Sequence, residues 1–497
     1  MSDSSKTILA IDQGTTSSRA ILFSSDGTLL GQVNQEFEQI FPQDGWVEHR
    51  PSDIWETTLQ VSREMMRRAE TMERPVQAIG ITNQRETTII WDRHTGKPIY
   101  NAIVWQDRRT ASHCETLQKQ GVLDEVTKAS GLLLDPYFSA TKIAWILDHV
   151  DGARARAEQG DLCFGTVDSF LIWHLTGGKS HVTDATNASR TNLYNINEGQ
   201  WDDRLCAIFN VPQSLLPEVR DCASHFGDSL PELLGQSLPI LGVAGDQQAA
   251  TIGQACFAQG AIKSTYGTGC FMLANTGTKR LHSSNKLLST VAYQLDGKTT
   301  YGLEGSIFIS GAIIQWLRDG LKILPDAAAS EAMASSLASH DGVYMVPALT
   351  GLGAPHWAPH ARGAIYGITR DTGPEHFARA ALESVAYQTY DLIAAMAADG
   401  IACNGIKVDG GMVANNWLMQ FMADLLDQRI ERPVIAETTA LGAAMLALLQ
   451  DGHASSLDDM ASIWQLDQHF TPNMGDEARS SLLAGWQTAI ERTLMQG

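Results

Sequence analysis

Residues 8–22 and 261–273 share one design: an apolar strand, a turn of glycine and hydroxyl side chains, and a second apolar strand. The first turn is Asp12-Gln13-Gly14-Thr15-Thr16-Ser17, followed by Ser18 and Arg19; the second is Tyr266-Gly267-Thr268-Gly269. Two related hairpins half a chain apart predict an internal duplication, with two lobes each offering a turn to one cleft between them. A backbone that curls round an anion has no room for a Cβ, which accounts for Gly14. Its amides converge on negative charge, Thr15, Thr16 and Ser17 add hydroxyl donors, and Arg19 adds a positive fork. Asp12 would hold a divalent metal, directly or through water, that neutralises the same anion. By itself the segment reads equally well as a polar β-turn with Asp12 solvated.

At 497 residues the chain exceeds one hydrophobic core, and two or three domains are expected. No Pro-, Ser- or Gly-rich run separates them, so the lobes should share a close interface. The boundary is expected near Gly253, giving lobes of residues 1–253 and 254–497. A net charge of −20 argues against nucleic acid or an anionic membrane as partner. The longest uncharged apolar run, residues 440–449, is too short for a bilayer span, and the first residues lack a signal-peptide core, so membrane insertion is not expected and a cytoplasmic location is. Seven scattered cysteines without a Cys-x-x-Cys pair suggest neither a zinc site nor a disulfide framework.

Strand patterns at 7–11, 18–24, 28–33, 78–81, 87–91 and 406–409 alternate with helix patterns from 51 to about 70, at 374–398 and at 416–428. Strands alternating with helices in both halves predict α/β lobes with mixed sheets.

Arg85 and Glu86 follow the strand at 78–81 and together offer donors and acceptors, as a polyol requires, although an isolated Arg-Glu dipeptide is more often a surface ion pair. Trp105 and Tyr137 could wall a carbon backbone or could be core. Asp246, at the end of the small-residue strand Gly242-Val243-Ala244-Gly245, is the candidate general base; it could equally cap the helix expected to start at Gln247. Gly410 and Gly411 would let backbone approach a nucleotide, and Asn416 could touch its base or ribose, whereas Asp-Gly-Gly is often only a tight turn. Neither a Gly-x-x-x-x-Gly-Lys-Ser/Thr loop nor a Gly-x-Gly-x-x-Gly after a strand occurs.

These motifs, with Gly45-Trp46-Val47-Glu48-His49, Asn83-Gln84-Arg85-Glu86-Thr87, Tyr137-Phe138-Ser139-Ala140-Thr141-Lys142, Gly245-Asp246-Gln247-Gln248 and Gly351-Leu352-Gly353-Ala354-Pro355, stand in the order found in the FGGY carbohydrate kinases. The chain resembles that family over essentially its whole length, and most resembles its members acting on glycerol. The resemblance implies two ribonuclease-H-like lobes of the actin and hexokinase type, closing over ATP and Mg2+. It implies a glycerol pocket of Arg85, Glu86, Trp105, Tyr137, Asp246, Gln247 and Phe271, with Asp246 as base. Thr15, Thr16, Ser17, Arg19, Thr268, Gly311, Gln315, Gly411, Met412 and Asn416 would hold the nucleotide, and Asp12 with Asp246 would face the metal. A dimer or tetramer is the family's usual state. Residues 230–239 lack any basic side chain, so the fructose 1,6-bisphosphate inhibition of some bacterial members is not expected.

Overall fold

The computed structural model describes residues 6–358 and 360–495. Two mixed sheets organise it. In the first, Leu29–Glu36, Ser17–Ser24 and Thr7–Gln13 form an antiparallel meander, Val76–Asn83 and Pro239–Gly245 continue parallel to Thr7–Gln13, and Ala223–Asp228 closes the edge antiparallel. The second repeats the plan: Leu288–Leu295, Lys298–Ile307, Cys270–Gly277 and Ile262–Tyr266 run antiparallel in that spatial order, Ile406–Asp409 and Ile430–Pro433 continue parallel, and Leu466–Phe470 closes the edge. The two turns singled out in the sequence therefore join equivalent strands of two similar sheets.

Strand-to-helix alternation places both sheets under helices. Pro51–Thr71 has proline in its first turn and buries Ile54, Val61, Met65 and Ala69 against the first sheet, as its apolar spacing requires. Pro374–Ala398 begins and ends where its pattern predicts and carries Ala381, Val385 and Leu392 into the second core. Strands 7–11 and 78–81 extend further than their apolar runs, to Gln13 and Asn83, because parallel pairing continues through the polar residues.

The helix Thr438–Gln450, which contains the apolar run 440–449, packs on the first sheet rather than the second. It also crosses Asp246–Gly253 at very close range. A Cβ on Gly442 would stand 1.8 Å from the carbonyl oxygen of Ala249, and one on Gly253 would stand 2.0 Å from that of Thr438. Only glycine permits this approach. Among the described residues no helix is long and apolar enough to cross a membrane, and all seven cysteines are free thiols, six of them buried.

Candidate functional site

Register sets the site. Gln13 pairs with Asn83, and Asn83 with Gly245, so three neighbouring strands end at one level. The residues that follow, Gly14, Gln84 to Glu86 and Asp246, are thereby delivered to one rim, the carboxyl end of parallel strands where α/β sheets bind ligands. In the second sheet Thr265 pairs with Asp409, which brings Gly267 and Gly410 to the matching rim.

The first turn is built as expected, with Gly14 N donating to Ser17 O at 2.9 Å. Gln84 Nε2 donates to Gly14 O at 3.1 Å and to Gln13 Oε1 at 3.0 Å, fixing the turn from behind. Thr16 is exposed and Thr15 and Ser17 are partly so. Arg19 departs from the expected open fork: Nη2 lies 3.0 Å from Asp12 Oδ2 and Nη1 2.6 Å from Glu437 Oε2. The cause is the hairpin register, which puts Arg19 directly opposite Asp12. Asp12 is 3% exposed, its Oδ2 has no hydrogen-bond partner, and burial, opposed by Arg19, raises its pKa. A buried carboxylate oxygen facing only a guanidinium suits a cation shared with phosphates. Among the described residues no group of three His, Cys, Asp or Glu side chains forms an all-protein cage, and Mg2+ completed by waters and phosphate oxygens does not need one.

Asp246 is the first residue of Asp246–Gly253, and Gly245 rather than Asp246 occupies the cap position. Its Oδ1 accepts from Gln247 N at 2.6 Å and lies 3.1 Å from Arg85 Nε. The side chain keeps 32% exposure, far more than Arg85 or Glu86 at 2%. Such a carboxylate is held in place yet open to a reactant. Glu86 sits at φ +59°, an uncommon backbone for a non-glycine residue, with its carbonyl accepting from Ser139 Oγ and Thr88 Oγ1. Arg85 and Glu86 are thus buried groups and not a surface ion pair.

Aromatic rings wall this spot from both lobes. The Trp105 ring centre lies 5.7 Å from that of Tyr137 and 6.0 Å from that of Phe271, both edge-on. Trp105 Nε1 donates to Thr15 Oγ1 at 2.9 Å, tying the wall to the first turn. Tyr137 Oη accepts from Arg85 Nη2 at 3.4 Å, and burial holds its phenol well above the usual range. Lys142 Nζ donates to the carbonyls of Tyr137 and Phe138, anchoring their loop, and burial lowers its pKa to about 8.

On the second rim, Gly311 N donates to Gly267 O at 2.8 Å and Ala312 N to Thr268 O at 3.1 Å, docking the turn on the helix Gly311–Gln315. Met412 Sδ accepts from Ser310 Oγ at 3.1 Å, which gathers Thr268, Gly311 and Met412. A Cβ on Gly411 would meet nothing within 4 Å, so open space faces that backbone. Gln315 and Asn416 are exposed, with Asn416 Oδ1 accepting from Arg432 Nη1 at 2.9 Å.

Three buried charged residues beside the pocket escaped the sequence reading. Glu304, on Lys298–Ile307, receives Arg85 Nη1 at 2.5 Å and Arg190 Nη2 at 2.8 Å. Arg190 Nε also donates to Glu86 Oε1 at 2.7 Å. Lys263 Nζ donates to Gln247 Oε1 and to Thr265 Oγ1, linking the second sheet to the helix that Asp246 begins. For Lys263 and Glu304 the available signal was an isolated charge within a strand, which cannot stay buried without a partner, whereas Arg190 lies in a polar turn after Ala185–Ala188 that carries no such signal.

Two family models match most of the chain. Residues 7–253 match the N-terminal domain, and residues 262–450 the C-terminal domain, of the FGGY family of carbohydrate kinases. A glycerol kinase of Rhodospirillum centenum is 60% identical over 486 residues, covering 98% of each chain. Glycerol kinase 1 of Pseudomonas aeruginosa is 58% identical with the same coverage. The crystal structure of Plasmodium falciparum glycerol kinase with ADP superposes with a TM-score of 0.93 at 38% identity, covering 98% of each chain.

Proposed function

The chain belongs to the FGGY family of carbohydrate kinases, and from that premise we propose that it transfers the γ-phosphoryl group of ATP to a terminal hydroxyl of glycerol, giving sn-glycerol 3-phosphate and ADP. The observation that carries the reading is the convergence at one rim of a partly open carboxylate, Asp246, a buried donor and acceptor pair, Arg85 and Glu86, and the Trp105 and Phe271 rings. The full-length likeness to glycerol kinases supports the choice of polyol.

In this mechanism Arg85, Glu86 and Tyr137 meet the hydroxyls of glycerol, Gln247 lines the same pocket, and Trp105 and Phe271 flank the carbon edge. Asp246 accepts the proton of the terminal hydroxyl as its oxygen attacks the γ-phosphorus; a new O–P bond forms, the bridging P–O bond breaks, and its electron pair leaves on the β-phosphate of ADP. Thr15, Thr16, Ser17 and Arg19 serve the phosphates from the first lobe. Thr268, Gly311, Gln315, Gly411, Met412 and Asn416 hold the nucleotide from the second. With Arg19 held by Asp12 and Glu437, its contribution is to orient Asp12 and offset its charge until ligand binds. Mg2+, held by Asp12 and Asp246 directly or through water, would neutralise phosphate charge.

The division into lobes of residues 1–253 and 254–497, a cytoplasmic location, and assembly into a dimer or tetramer belong to the same proposal. A panel of glycerol, other polyols and pentuloses in a coupled assay for ADP release tests it. Glycerol should give the highest kcat/KM; a pentulose exceeding it would replace the substrate, and ATP turnover indifferent to every alcohol would remove the kinase reading.

A further inference from the structure

We propose that Glu304, from the second lobe, is a positioning residue that sets the polyol pocket of the first. The proposal rests on the reading above that Arg85, Glu86 and Tyr137 take glycerol. Glu304 is 1% exposed, and both its oxygens are engaged by first-lobe arginines: Oε2 by Arg85 Nη1 at 2.5 Å, and Oε1 by Arg85 Nη2 at 3.2 Å and Arg190 Nη2 at 2.8 Å. Arg190 in turn holds Glu86 through Nε, and its guanidinium carbon lies 5.7 Å from the Tyr137 ring centre. Arg85, Glu86 and Tyr137 are therefore supported, directly or through Arg190, by one carboxylate reaching across from the other sheet.

Charge balance explains why that carboxylate matters. Arg85 and Arg190 carry two positive charges, and Glu86 and Glu304 two negative ones, in a group whose side chains are all at most 2% exposed. Arg85 is also the 3.1 Å neighbour of Asp246. Glu304 thus competes with the proposed base for the Arg85 guanidinium, keeping its two Nη groups turned away from Asp246. Removing Glu304 leaves the two Nη groups of Arg85 with only the neutral partners Gln248 Oε1 and Tyr137 Oη, so its charge turns to Asp246, and leaves Arg190 with Glu86 as its carboxylate, its Nη1 having no hydrogen-bond partner. Burial opposes the charge of Glu304, yet Arg190 and Arg85 hold its pKa down to about 2, so the carboxylate stays ionised at any working pH. Buried ion groups contribute little net stability, and their better-attested use is to fix one arrangement. Since the fixing charge comes from the second sheet, the pocket is complete only with the lobes in contact.

Glu304→Gln keeps the shape and removes the charge, whereas Glu304→Asp keeps the charge and shortens the reach. Glycerol and ATP KM, kcat and melting temperature are measured for both beside the wild type. The expected result is a glycerol KM raised by roughly 10- to 100-fold, the scale of misplacing a binding group by about 1 Å, with the ATP KM within about threefold. A folded variant with wild-type glycerol KM overturns the proposal, as does a fall in kcat and melting temperature with KM unmoved, the signature of a merely structural role. The aspartate variant preserves the charge balance and decides the question if the glutamine variant does not fold. Failure of the substrate reading is distinguishable, because it would appear as wild-type protein without glycerol-dependent turnover.

Discussion

Asp246→Asn separates what the carboxylate does chemically from what it does structurally. Asparagine has the same size, and its Oδ1 can still accept from Gln247 N and Arg85 Nε, contacts now at 2.6 and 3.1 Å. The side chain is 32% exposed, so weakening its ion pair with Arg85 costs no more than about 1 kcal/mol after solvent screening. Folding and glycerol binding should both survive, with KM changing by less than about tenfold. What disappears is the proton acceptor. General-base assistance contributes roughly 10² to 10⁴ in rate, equivalent to about 3 to 5 kcal/mol in the barrier. The lower part of that range is expected, because a loose phosphoryl-transfer transition state draws modestly on the attacking oxygen's proton. The assay is steady-state ADP release at saturating glycerol, ATP and Mg2+, with calorimetric glycerol binding to show the pocket intact. A kcat within about tenfold of wild type would refute the assignment of Asp246 as base. Recovery of the wild-type rate as Mg2+ is raised beyond the concentration that saturates the wild type would show that its role is to hold the metal.

Two further perturbations probe the frame that presents this site. Gly442→Ala places a Cβ 1.8 Å from the Ala249 carbonyl oxygen, between the helix that Asp246 begins and Thr438–Gln450; such overpacking should destabilise by about 1 to 3 kcal/mol, and an unchanged thermal melt would show that the helices can separate freely. His49 is buried, pairs with Gln39 and stands behind Gln84, and burial lowers its pKa to about 4 from 6.5. The unfolded chain therefore takes up this proton first, and the residue's contribution, intact above about pH 6.5, is lost as pH falls towards 4. His49→Gln should reduce the slope of unfolding free energy over that window by up to about 1.4 kcal/mol per pH unit, leaving the part due to His174 and His181, which burial also holds near 4; an identical slope would contradict the buried neutral state of His49.

The turns were legible because their chemistry is contiguous: glycine, hydroxyls and an acid lie within a few residues of one strand end, and strand pairing then aligns the ends. Glu304 was not, since its partner Arg85 is 219 residues away and no local pattern announces it. The Arg19 pairing follows from the hairpin alone. A hairpin centred between residues 15 and 16 puts Arg19 across from Asp12, so the acid and the base were bound to meet before any phosphate arrived.

The run 440–449 carries two constraints at once. Judged only by length it excludes a bilayer span; judged by its lack of any polar face it predicts a helix buried all round. Thr438–Gln450 is that helix, wedged between the first sheet and Asp246–Gly253 although the strands before and after it, Ile430–Pro433 and Leu466–Phe470, belong to the second sheet. The absence of a linker now has a physical cause: the chain returns to the first lobe's core after finishing most of the second. A motion that opens the cleft must accordingly turn about the Gly253 and Gly442 crossing, at the base of the helix whose first residue is Asp246. The carboxylate proposed as base thus stands on the element about which the lobes would move, while Glu304 stands on the lobe that would carry the pocket's counter-charge away.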